Sequence, residues 1–494
     1  MHATSRHSEE SEHQVRVKEV ARNFIDEAVM VLTEERVLPT SIYQRFVTVG
    51  RDYEGSHLMQ MNNYKIFEQI LQQSYPIPFT DPQSTTDPQF PTTYIFSFLE
   101  AFIARSGAEG MYDSRSEGFE ISFKEMIDLL DSNKYEIVCC REVSHLETEH
   151  NSPITFGDLS VIPVLGARES IIDKLVPGAR GSFYDKEPRI YNPPLAVIVA
   201  KQFGESQDPY KLAADLEAKI DNFLLILRLL YATTADSHWQ VTGASTLVSR
   251  IHPAYKQYRM EWLGPALIRR VIRLSGENWF AIDKIQELLG SAQVARKGLA
   301  TNTIDLALER FKRTYVQSNP FDKIVDLCIA LEAILIGDGN ETEGISLRLK
   351  TRAAALLQTE HDSAPGIFDD ITTFYNLRSQ IVHGGQIRVA KLFKDIRRIS
   401  TVPEQGMFGT ATVLAVDRLQ DLVRRAILAR LCLASDPRPL WSFNKPASVD
   451  SVLSDPAMQS QWRNHWHQKM TDLGAGESAG ESIPAIDLLG ASGD

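Results

Sequence analysis

Cysteine is scarce in this sequence: Cys139, Cys140, Cys328 and Cys432 are its only four in 494 residues. None stands in a C-x-x-C spacing, so neither a zinc knuckle nor a disulfide framework is expected. Thiols this sparse fit a reducing compartment, the cytoplasm. Long apolar runs are also missing. The longest, 195–200 and the stretch 223–231 broken by Arg228, fall far short of the roughly 20 residues a membrane helix needs, so no membrane partner is expected. Residues 1–12 are polar and His-rich without an apolar core, so no secretory leader is expected either. Nor is there an excess of positive charge. With 52 Lys and Arg against 64 Asp and Glu the chain carries −12, which excludes a basic coat for constitutive duplex binding. A local basic groove stays open.

Several catalytic signatures are absent. There is no G-x-x-x-x-G-K-[ST] phosphate loop, no G-x-S-x-G elbow and no H-E-x-x-H pair. Asp338 opens what begins like an EF-hand loop. Glu343, however, stands where the turn needs glycine, and Leu349 where a bidentate carboxylate is needed. His145 and His150 bracket Glu147 and Glu149 at a spacing that fits no metal template, and His465 and His467 flank Trp466. These read as ordinary histidines, so neither a metal nor another cofactor is expected.

The composition, 43% hydrophobic and 23% charged, can bury a core. At roughly 100–200 residues per domain the length allows two or three domains. Residues 1–13 read as a disordered lead. Residues 14–295 read as a mixed α/β region of unknown role. In it Val17, Val20, Phe24, Ile25, Val29 and Leu32 recur at helical spacing, and so do Leu212, Leu216, Ile220, Phe223, Leu227 and Leu230. The segments 159–165 and 195–200, bounded by Pro and Gly, read as buried strands. Five prolines make 75–91 a loop. From 300 to 436 the pattern turns helical, with five amphipathic stripes separated by short breaks, which describes a helical bundle. An appendage, 437–470, carries Trp441, Trp462 and Trp466 and is expected to pack back. Residues 471–494 read as a disordered tail. The expected fold class is therefore mixed: an α/β N-terminal region followed by an all-α bundle.

Three blocks of the bundle stand out. They are Leu331-Glu-Ala-Ile-Leu-Ile-Gly-Asp-Gly, Leu347-Arg-Leu-Lys-Thr-Arg-Ala-Ala-Ala-Leu-Leu and Tyr375-Asn-Leu-Arg-Ser-Gln-Ile-Val-His-Gly. In order and spacing they resemble the Apea-like branch of the HEPN domains, whose R-x4-H signature falls here on Arg378 and His383, with the small polar Ser379 after the arginine. The resemblance implies a HEPN-like helical bundle and a metal-independent endoribonuclease, acting as a homodimer with both R…H motifs in one cleft, in phage defence or stress response. Other HEPN proteins are nucleotide-binding or structural modules, so the resemblance also admits a non-catalytic dimerisation or ligand-sensing module.

The residue chemistry is compatible with cleavage of RNA by its own 2′-hydroxyl. That reaction needs a proton acceptor, a proton donor and positive charge on the phosphorane. Histidine titrates near neutrality, so His383 can act as acid or base. Arg378 can fork onto phosphate oxygens, with Ser379 and Glu332 in support. Geometry limits this scheme. Five residues of helix turn through about 500°, which leaves Arg378 and His383 about 140° apart. They converge only if the helix unwinds toward Gly384-Gly385, or if a second chain completes the site. The alternative is structural: Arg378 pairs with a carboxylate such as Glu332, and His383 caps the helix end. Glu332, an acid on an apolar helix, needs a partner, for which Arg378, Arg348 and Arg352 qualify.

Arg388, Lys391, Lys394, Arg397 and Arg398 follow directly, five positive charges against the single acid Asp395. Spaced by three or four residues, they form either a solvated helix face or a track for the RNA backbone. A second basic stretch, 250–273, carries Tyr255, Tyr258 and Trp262, which serve either as core or as stacking platforms for bases. The expected partners are a second copy, RNA and an unidentified regulatory partner.

Overall fold

The computed structural model describes residues 12–34, 57–75, 91–106, 112–132, 134–164, 196–205, 209–231, 237–244, 256–259, 271–295, 303–337, 344–383, 389–443 and 449–473. Most of the proline-rich loop, 76–90, lies outside them, as do residues 1–11, Gly384, Gly385, Arg388 and the tail 474–494.

Val17, Ala21, Phe24, Ala28 and Leu32 recur every three or four residues, and α1 (Glu12–Glu34) buries all five. Four helices follow: α2 (His57–Gln60), α3 (Asn62–Ser74), α4 (Thr92–Ser106) and α5 (Glu117–Ser132). Their seam is aromatic. Phe24 meets Tyr64 and Phe67, Phe67 meets Phe98, and Phe119 stacks on Phe123 with centroids 5.9 Å apart. Lys18 and Arg22 of α1 converge on Glu120 of α5 at 2.9 and 2.6 Å.

The strands come next: β1 (Lys134–Val143), β2 (Leu146–Thr148), β3 (Ile154–Phe156), β4 (Leu159–Pro163), β5 (Ala196–Glu205), β6 (Ser237–Ala244), β7 (Lys256–Arg259) and β8 (Ile272–Leu274). Six form an antiparallel sheet in the order β3-β4-β5-β1-β6-β7, while β2 and β8 pair in parallel. β1 is central because its run Ile137–Cys140 is apolar on both faces, and Cys140 lies opposite Val199 and Val241. The two strands expected from the sequence are β4 and β5. Helix α6 (Pro209–Leu230) packs its apolar stripe on β5 and β1, and α7 (Asn278–Ala295) packs on α6.

The remaining helices are α8 (Thr303–Val316), α9 (Pro320–Ile336), α10 (Ile345–Leu357), α11 (Ala364–Val382), α12 (Val389–Ile396), α13 (Phe408–Ala434), α14 (Val449–Ser454) and α15 (Pro456–Asp472). Three of them start alike, with a capping side chain and a proline in the first turn. Asn319 accepts from the Phe321 amide at 3.0 Å, Ser363 from Gly366 at 3.3 Å and Asp455 from Ala457 at 2.8 Å. Gly337 ends α9 where α8 begins, because a Cβ there would sit 2.4 Å from the Thr303 methyl. The class is mixed, with every described strand lying between residues 134 and 274. Among the described residues no helix is long and apolar enough to cross a membrane.

Helix α13 differs from its expected amphipathic form. Every residue from Leu414 to Leu433 is buried, because α8, α9, α10, α12, α15 and also α6 and α7 surround it. Four arginines are therefore interior. Arg418 donates to Asp370 at 2.9 Å and forks onto Asp362 at 2.8 Å. Arg425 also bonds Asp362, and lies 3.1 Å from Asp421, which Arg424 meets at 2.7 Å. Burial opposes the charge of Asp362 and Asp421, but the guanidinium groups overcome it and hold both carboxyls below their ordinary range.

The same arginines reach helix ends. Arg424 donates to the Leu229 carbonyl of α6 at 3.1 Å, and Arg425 to Leu357 of α10 at 2.7 Å. Arg352 of α10 donates to Leu335 of α9 at 2.6 Å and is gripped by Asp450. The appendage completes the end of α10: Arg463 and Trp466 donate to Ala355 and Leu356, each at 3.0 Å. Trp441, Trp462 and Trp466 are all buried.

Two outcomes follow. Arg418→Ala leaves buried Asp370 without a cation and Asp362 with Arg425 alone, and lowers stability by about 3–5 kcal/mol in a urea titration. Asp450→Asn costs only about 1 kcal/mol, because that carboxylate is 46% exposed. The second outcome concerns His467, whose imidazole is pulled down to about 4 by burial and by the charges of Arg425 and Arg463. The unfolded chain takes up this proton near 6.5 and the folded chain does not. Stability is therefore full above that pH and falls as the pH drops from 6.5 toward 4, by about 1 kcal/mol after allowing for solvent screening. His467→Phe removes that part of the pH dependence of the melting temperature.

Candidate functional site

Residues one turn apart on a helix share a face, and two such pairs meet between α9 and α11. Cys328 and Glu332 come from α9, Tyr375 and Arg378 from α11. The Arg378 guanidinium lies 3.4 Å from the Glu332 carboxylate and 5.4 Å from the Tyr375 ring. The two charged side chains are 28% and 22% exposed. Burial, then a hydrogen bond to Glu332 and its charge, push the Tyr375 phenol up to about 12. Burial does the same to the Cys328 thiol, whose Sγ faces the Phe374 carbonyl at 3.8 Å. The cluster is an arginine held by an acid and flanked by an aromatic ring. Of the three partners considered for Glu332, Arg378 is the one in contact. Arg348 and Arg352 turn instead to Asp450, at 2.8 and 2.6 Å.

His383 sits at the end of α11. Its amide still donates to the Ser379 carbonyl at 3.1 Å, so helical hydrogen bonding runs through it. The helix does not unwind ahead of His383. The imidazole therefore leaves α11 about 140° around the axis from Arg378. His383 and Ser379 are exposed. A single chain brings Arg378 and Glu332 together, but not Arg378 and His383.

The basic run forms α12 and the turn after it. Leu392 and Ile396 anchor this helix in the core, while Lys391, Lys394, Arg397 and Arg398 are exposed. Arg397 stacks on Phe393 at 3.9 Å and donates to the Gly406 carbonyl at 3.2 Å. Arg398 lies 3.5 Å from Asp395. Gln380 of α11 donates to Asp395 at 3.3 Å, which ties α12 to the turn of α11 that carries Ser379. In the second basic stretch Tyr258 lies in β7, while Tyr255 and Trp262 fall outside the described residues.

Elsewhere, His145 is buried with Nδ1 3.2 Å from the Ser144 hydroxyl, and His150 is 85% exposed. Among the described residues no three His, Cys, Asp or Glu side chains gather as a metal site. Sequence reasoning missed Tyr375 and Cys328. The signal was there: each lies three or four residues from a charged residue already singled out.

No protein-family model, curated protein or solved structure matches the chain.

The Glu332–Arg378 contact is measurable. A double-mutant cycle with Glu332→Gln and Arg378→Met gives a coupling of about 1 kcal/mol in chemical denaturation, because the pair is only partly shielded from water.

Proposed function

We propose that this chain is a metal-independent endoribonuclease of HEPN type, active as a homodimer. The supporting observation is the arrangement at the end of α11. An arginine held by Glu332, an exposed histidine five residues on and the exposed lysines of α12 all belong to one end of the bundle. Since Arg378 and His383 diverge within one chain, the reading requires a second copy to bring its histidine toward the first copy's arginine. His383 then moves the proton from the 2′-hydroxyl to the leaving oxygen, and Arg378 holds the phosphate. Ser379 and Glu332 support the motif, and Lys391, Lys394 and Arg398 track the backbone. A role in phage defence or stress response, and a cytoplasmic setting, belong to the same reading.

A second reading has its own support. The 3.4 Å contact between Arg378 and Glu332 is what a structural tie between two helices would also give. In that case the bundle is a non-catalytic dimerisation or ligand-sensing module.

Mixed RNA incubated with the pure protein in EDTA separates them. The nuclease reading expects fragments ending in 2′,3′-cyclic phosphate. His383→Ala lowers the rate about 10²–10⁴-fold with the melting temperature unchanged. Arg378→Lys also impairs cleavage, because an ammonium cannot fork onto two oxygens. A strict monomer by sedimentation that still cleaves RNA overturns the two-copy site. No cleavage under any condition, with early melting of the Arg378 variant, favours the module.

A further inference from the structure

A separate cavity of about 920 Å³, with no residue of α11 in its lining, lies where the β3–β4 hairpin, α6 and α7 face α8. Its size suits a small molecule, since such sites run to roughly 300–1,000 Å³. One wall is aromatic. Trp279, at the start of α7, stacks on the buried Phe156 ring with centroids 5.4 Å apart and planes within 20°. With one face covered in this way, the indole is still 38% exposed. Such a surface readily takes up a second ring.

The polar side of the cavity comes from two helices. Lys219 and Asn222 stand one turn apart on α6, and Lys312 faces them from α8. Lys219 already pairs with Asp158 at 3.0 Å. Lys312 donates to the amide oxygen of Asn222 at 3.2 Å, a neutral acceptor. Burial pulls its pKa down, Asp221 opposes this, and Arg228 adds to it. A half-buried ammonium hydrogen-bonded to a neutral amide is a cation that an incoming anion would stabilise. Asp305 and Glu309, one turn apart on the same wall of α8, are suited to accept from hydroxyl or ring N–H donors.

We propose that this cavity binds a small planar aromatic anion, its ring against Trp279 and its charged group drawn to Lys312 and Asn222. The site is independent of the α11 motif. Its walls come from both the sheet-bearing half and the first helix of the bundle, so an occupant is gripped by both. Two sources share this chemistry: a nucleoside monophosphate, whose sugar hydroxyls would meet the acids of α8, and an aromatic carboxylate.

The test uses the full-length chain, titration calorimetry and tryptophan fluorescence, with adenosine 5′-monophosphate, indole-3-acetate and uncharged adenosine as probes. At least one anion binds with a Kd between about 10 μM and 1 mM. For the monophosphate, adenosine is at least about tenfold weaker, the equivalent of losing one charge-assisted hydrogen bond. Lys312→Gln removes the advantage of anion over neutral ring, and Trp279→Leu weakens every probe that binds. His383→Ala leaves binding unchanged, which separates this cavity from the α11 motif. Circular dichroism melts check that the variants fold, and if Lys312→Gln does not, Asn222→Ala, at an exposed position, takes its place. No binding of either anion up to about 5 mM overturns the proposal. So does binding that Lys312→Gln and Trp279→Leu both leave unchanged.

Discussion

The interior of the bundle depends on guanidinium groups placed at the ends of helices. A helix leaves its last carbonyls without partners, and its dipole puts partial negative charge there. At the surface water satisfies both needs. Here the ends of α6, α9 and α10 are turned inward, and Arg424, Arg352 and Arg425 serve Leu229, Leu335 and Leu357. Each arginine must then be neutralised, which is why Asp421, Asp450 and Asp362 stand beside them. The planar guanidinium, with five donors in a fixed fork, serves a carbonyl and a carboxylate from one side chain. The packing of α13 on every side follows from this arrangement. A helix can carry four arginines through a core only where each finds acceptors in the surrounding elements.

Much of the architecture was legible because it rests on local periodicity. The stripes of α1, α6, α8 and α9 are read directly from apolar spacing, and β4 and β5 from short apolar runs between breakers. The interior character of α13 was not legible. Its stripe from Val413 to Leu431 has the pattern of an ordinary surface helix, and arginine on the other face normally means solvent. Only the positions of Asp362, Asp370 and the Leu357 carbonyl, far along the chain, make those arginines core residues. The start of α11 is fixed locally, ahead of its apolar stripe. Ser363 and Pro365 set the first turn, and they precede the first apolar residue of the stripe, Ile367.

The candidate site divides in the same way. The pairing of Glu332 with Arg378 was among the alternatives that the sequence allowed, and the α9–α11 contact selects it. The relation of Arg378 to His383 was an angle computed from helix geometry, and the unbroken hydrogen bond from His383 to Ser379 keeps that angle. What a sequence cannot supply is the cavity beside Trp279. It is assembled from Phe156, Lys219, Trp279 and Lys312, which belong to four elements with no shared motif.

The partners of α13 are spread on both sides of it along the chain. Asp362 and Asp370 precede it, whereas Trp441 and Ser442, whose carbonyls receive Arg430, follow it. During synthesis α13 would leave the ribosome with the acceptors of Arg430 still unmade. The nascent bundle would then hold a hydrated Arg430 in a loosely closed groove, and final dehydration would wait for the tryptophan-bearing segment to arrive. On this geometry the core would close around Arg430 only once the segment carrying Trp441 and Ser442 has followed α13.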